Sequence, residues 1–159
     1  MCGYCGSVAE QLPEHTRPEG VTDATVEALG RLSEAMETVE EARGSLYAFH
    51  RSTGTAHRIL GDAIDQLRRA GHEELADLIE RELLGRNVLQ GRWTFQVVEE
   101  YDDTYYATFR ALERQARDQL VEGRRHLYEA EMKDRKRTRG HPDHQAVPDD
   151  SGPQGDGDG

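Results

Sequence analysis

At 159 residues the chain is long enough for one domain with a core, and its formal net charge of -11 disfavours a phosphate backbone or an anionic membrane as partner. Hydrophobic residues make up 35% of the sequence and charged residues 32%. That balance suits helices burying one stripe each and argues against a deep globular core.

Residues 1–20 hold Gly3, Gly6, Pro13, Pro18 and Gly20 with little periodicity, and read as an irregular arm. Thr22 or Asp23 then caps a first helix, in which Val26, Leu29, Leu32, Met36, Val39, Leu46 and Tyr47 recur at helical spacing as far as about Arg51. Ser52, Thr53 and Gly54 punctuate the chain before Ile59, Leu60, Ala63, Ile64 and Leu67 form a shorter second helix, which Gly71 stops as a C-terminal cap. A third helix from His72 to Leu84 ends at Gly85 and is followed by the polar loop Arg86 to Arg92.

The fourth helix starts near Trp93. Val98, Tyr101, Tyr105, Phe109, Leu112, Ala116, Leu120 and Leu127 recur at steps of three and four, an apolar stripe with an eleven-residue repeat. Continued to about Arg137 at 1.5 Å per residue, this helix is roughly 65 Å long, and its C-terminal part has to project or find a partner. Arg124, Arg125, Lys133, Arg135, Lys136, Arg137 and Arg139 make its end basic, as suits a helix C-terminus. Beyond lies glycine, proline and acid with no apolar face to bury.

The expected fold is all-α, an up-down helical bundle with two long antiparallel helices, a shorter helical hairpin between them and a disordered C-terminal tail. Its divisions are an irregular N-terminal arm with a CxxC pair over 1–20, the bundle over 21–137 and the tail over 138–159. No apolar run reaches the length of a membrane span and the N-terminus lacks the pattern of a signal peptide, so the expectation is a cytoplasmic protein without membrane or nucleic-acid partners.

Up-down order collects polar residues at the end where helix one gives way to helix two and where helix four begins. His50, Arg51, His57, Arg86, Asn87, Arg92, Trp93 and Tyr101, beside Glu99, Glu100 and Asp102, form a candidate ligand or metal site there. A di-iron bundle site is disfavoured because no Glu-x-x-His pair is present, and Glu122 with His126 reads as a helical pair at four-residue spacing.

Cys2 and Cys5 are half of a tetrahedral zinc site that His141 and His144 could complete. Met1-Cys2-Gly3-Tyr4-Cys5-Gly6 also resembles the short leader on some actinobacterial hemerythrin-like proteins. The resemblance covers six residues, and no iron ligand is carried over from it.

Nothing in the sequence defines a nucleophile or a phosphate loop. The functional expectation is a non-enzymatic interaction protein that self-associates or docks a protein partner along helix four. A zinc- or iron-binding protein is the alternative, and a ligand sensor or enzyme at the His50/His57 pole is the third reading.

Overall fold

A single helix, α1 (Asp23–Arg69), runs for 47 residues, about 70 Å, in the computed structural model, which describes residues 12–148. It is followed by α2 (Glu73–Leu83), α3 (Thr94–Tyr101), a π turn (Asp102–Tyr106), α4 (Ala107–Val121) and α5 (Leu127–Lys136). The all-α expectation holds: the described residues contain no strand, only an isolated bridge between Leu89 and Arg92. No helix among them is long and apolar enough to cross a membrane.

The break expected at Ser52, Thr53 and Gly54 does not occur, so helices one and two are one. Gly54 keeps a helical backbone, and its cost of roughly 1 kcal/mol is small beside the packing on both sides of it. His50, Thr53, His57, Leu60 and Ile64 continue the same inward line at steps of three and four.

Gly71 does end its helix. At φ +86° it forms a Schellman motif, with His72 N–H donating to the Leu67 carbonyl at 2.9 Å and Gly71 N–H to that of Arg68 at 3.0 Å. The chain then reverses into α2, where Arg68 pairs with Asp77 at 2.8 Å and also with Glu80.

The fourth helix departs from expectation in two places. The π turn inserts one residue into its rotation. The helix then stops at Val121, where Glu122 (φ +57°), Gly123 (φ +74°) and His126 (φ +58°) turn the chain before α5. Gly123 N–H reaches back to the Arg117 carbonyl at 3.1 Å. The basic end of the expected long helix is therefore a separate helix.

Two compact units share these elements: 12–33 with 113–148 among the described residues, and Glu34–Leu112. In the first, Val26, Val121 and Leu127 are buried together, with Val21 and Leu29 against them. Arg17 holds Glu131 through two bonds of 2.8 Å and Asp23 through one of 2.6 Å. Residues 138–148 run in turns, and Ala146 accepts a bond from Lys133 Nζ at 3.2 Å.

In the second unit Val39, Ile64, Ala76 and Val98 are buried. Glu40 with Tyr106, Arg43 with Asp102, His50 with Thr94 and His57 with Trp93 place α1 antiparallel to the segment running through α3 and the π turn.

Candidate functional site

The loop between α2 and α3 explains part of the polar pole. Gly85 (φ +82°) and Gly91 (φ +72°) allow two reversals, and Arg92 N–H closes the second on the Leu89 carbonyl at 3.0 Å. This delivers Trp93 to the start of α3, where its backbone N–H donates to Gln96 Oε1 at 2.8 Å and its indole Nε1–H to the Gly85 carbonyl at 3.1 Å. The His57 ring lies 5.6 Å from the indole, and His50 Nδ1 is 2.8 Å from the hydroxyl of buried Thr94.

His50, His57 and Trp93 are thus brought together, with Thr94 and Gly85 as partners that sequence reasoning missed. The other members are not. Arg51 and Asn87 are exposed, Arg86 bonds the Glu82 carbonyl at the end of α2, and Arg92 pairs with Glu100. Tyr101 stacks along its own helix in a ladder with Tyr105 (5.6 Å) and Phe109. His50 and His57 are two turns apart, about 10 Å along the axis, so in this arrangement they do not converge on one ion bound at about 2 Å.

A second cluster was not singled out. Arg43 makes two bonds to Asp102, at 2.7 and 3.0 Å, while its guanidinium lies between the rings of Tyr47 (4.8 Å) and Tyr106 (4.7 Å). Tyr47 donates to Asp102 Oδ2 at 2.8 Å and Tyr106 to Glu40 at 2.7 Å. Hydrogen bonding from Arg43 holds the Asp102 carboxyl below the usual carboxylate range. The bond to Asp102 pushes the Tyr47 phenol up, and the bond to Glu40 does the same to Tyr106. Every group in the cluster has a partner, so it clamps α1 to the π turn.

The metal candidates divide. Cys2 and Cys5 lie outside the described residues. The His141 and His144 rings are 4.3 Å apart, but His141 Nδ1 accepts from Asp143 N–H and His144 Nδ1 from Thr138 N–H, both at 3.1 Å. Each neutral imidazole therefore carries its proton on Nε2 and has no ring lone pair left in this arrangement. Among the described residues no three His, Cys, Asp or Glu side chains are grouped to hold an ion.

What the described surface does offer is apolar. Thirteen large hydrophobic residues are exposed against seven buried hydrophobic ones, the reverse of what a self-sufficient core gives. On α4 and the preceding π turn, Tyr105, Leu112 and Leu120 are 53%, 58% and 50% exposed. These belong to the stripe that the sequence assigns to a core. The covered line instead runs through Tyr106, Phe109, Glu113, Arg117 and Val121. Buried Glu113 takes bonds from Ser33 (3.3 Å) and Arg117 (3.0 Å).

One half of this helix, from exposed Ala111 round to half-buried Phe109 and exposed Leu120, carries no charge. Going round the axis, Ala111, Gln115, Thr108, Gln119, Leu112, Tyr105, Ala116, Phe109 and Leu120 fill about 180°, whereas Arg110, Glu113, Arg114, Arg117 and Asp118 all fall on the other side.

Comparison with known proteins finds no matching family model, no similar curated protein and no similar solved structure.

Proposed function

We propose that this chain is a non-enzymatic helical interaction protein that self-associates, with the outer face of α4 as its contact surface. The uncharged half-turn of α4 carries the reading. In a sequence with 32% charged residues, nine consecutive positions around the axis without one match the depletion of charge at interface cores.

The pattern suits a second copy of the same chain. Tyr105 lies seven residues before Leu112 and Leu120 eight after it. Two such helices laid antiparallel across a twofold axis near Leu112 set Leu112 on its counterpart and each Tyr105 ring beside the other chain's Leu120. Small Ala111 and Ala116 allow the backbones to approach. Large apolar side chains of this kind leave roughly 100 Å² each uncovered at half exposure, and the stripe with its glutamine and alanine flanks supplies much of the about 800 Å² per partner that a stable interface needs.

Sedimentation equilibrium from 1 to 200 μM tests this. Self-association with a Kd raised on the order of a hundredfold by Leu112→Glu is the expected result, since each dimer then buries two carboxylates at its centre. A wild-type protein monomeric throughout that range refutes the proposal.

A further inference from the structure

The turn at 122–126 is a costly way to join two helices. Two of its residues, Glu122 and His126, hold positive φ without being glycine, and glutamate has neither the short polar side chain nor the open Cα that tolerates it. Glycine at 123 relieves only the middle of the turn. Yet the sequence on either side is in phase for one uninterrupted helix. From Leu112 through Ala116 and Leu120 to Leu127 the apolar positions recur at multiples of about 3.6. Straightened, α4 and α5 would form one helix from Ala107 to Lys136, about 45 Å long.

What holds α5 back is a set of contacts to residues 12–30 of the same unit. Leu127 is buried with Val26 and Val121, Tyr128 packs over Gly30, and Glu131 forms its bidentate pair with Arg17. The His15 ring bonds the Arg125 carbonyl at 2.8 Å, and Arg124 bonds that of Thr16 at 2.6 Å. A closed set of contacts joined through a short strained hinge is the arrangement in which an element exchanges between copies, because exchange keeps the contacts and releases the strain.

We infer that α5 is an exchangeable arm whose partner is a second copy of this chain. With residues 122–126 helical, Leu127 and Glu131 of each copy occupy the Val26 and Arg17 site of the other. This deepens the self-association reading but rests on a separate observation, the strained hinge rather than the bare α4 face.

Charge reversal separates exchange from every closed arrangement. Arg17→Glu sets two glutamates against each other and Glu131→Arg two arginines, so each variant alone loses α5 docking. Mixed together they restore two correct pairs only if the arms cross over. The expected result is a heterodimer with one copy of each variant in native mass spectrometry, and a melting temperature in the mixture above that of either variant.

If the mixture gives no heterodimer while the double variant Arg17→Glu/Glu131→Arg regains wild-type melting, the inference is overturned. Gly123→Ala supplies a second test. Alanine is penalised at φ +74° and favoured in a helix, so exchange predicts a shift toward dimer on the order of thirtyfold per chain. An unshifted monomer is evidence against it.

The two readings also fail separately. A mixed heterodimer that survives Leu112→Glu keeps the arm exchange and removes the α4 face. A dimer abolished by Leu112→Glu, with no mixed heterodimer, does the reverse.

Discussion

Leu127 and Leu112 stand on one apolar stripe in the sequence, and replacing each by alanine measures how differently the fold uses them. Leu127 is 6% exposed and belongs to a cluster whose other buried members are Val26 and Val121. Truncating a buried leucine costs 2–5 kcal/mol, from lost transfer energy and from the cavity left behind. This core is small and α5 has room to settle, which places the expected cost near the lower half, about 3 kcal/mol. Against the 5–15 kcal/mol that stabilises an ordinary domain, such a loss is large. Leu112 is 58% exposed, so less than half of its side chain has contacts to lose, and alanine is the better helix former. The expected cost there is below about 1 kcal/mol. Urea titrations followed by circular dichroism at 1 μM, where association contributes little, give both values. Equal losses would refute the reasoning, because they would mean that Leu112 is as well packed as Leu127.

Three further outcomes follow from the local geometry. Asp102→Asn removes the carboxylate that pushes the Tyr47 phenol up, so the Tyr47 titration followed by ultraviolet absorbance falls back toward about 10. The depressed Asp102 stabilises the fold above about pH 4 and stops doing so as pH falls through its lowered value, while the raised Tyr47 stabilises it below about pH 10 and stops as pH rises further. The melting-temperature difference between wild type and Asp102→Asn is therefore greatest between those limits and shrinks on both sides. Gly71→Ala forces alanine to φ +86° in the Schellman turn and costs about 1–2 kcal/mol in a urea melt, whereas Gly54→Ala, in mid-helix with open space at its Cβ, gains about 0.5–1 kcal/mol.

The helix stop at Gly71 was legible because a glycine coincides there with the end of an apolar period, and Gly85 was legible for the same reason. Ser52, Thr53 and Gly54 carry similar turn-forming residues but do not interrupt the period, since His50 and His57 remain in phase across them. Where composition and phase disagree, phase prevailed, because packing along a whole face outweighs roughly 1 kcal/mol of local propensity. At 122–126 the opposite happened. The phase is continuous and the chain still turns, held by the Arg17–Glu131 pair and by Leu127 on Val26, contacts more than a hundred residues apart in sequence that no local window contains. His57 beside Trp93 was within reach of the topology. The pairing of Asp102 with Arg43 was not, because Asp102 reads as part of the polar pole and Arg43 lies outside the apolar pattern.

The π turn connects these observations. Adding one residue to the rotation moves the inward line from the apolar stripe to the positions beside it, so Tyr106, Glu113 and Arg117 face α1 where Tyr105, Leu112 and Leu120 would have done. α1 supplies partners for two of these, Glu40 for Tyr106 and Ser33 for Glu113, Arg117 pairs with Glu113 on its own helix, and Arg43 anchors Asp102 inside the turn itself. These contacts are individually modest, because all their members but Glu113 are at least partly exposed and screened by water. Their joint effect is on register: they fix the helix in the rotation that leaves Tyr105, Leu112 and Leu120 outward. A hydrophobic inward line would have stabilised the monomer more, so the fold gives up core burial to keep an apolar face in solvent. In the proposed self-association that burial is recovered between copies.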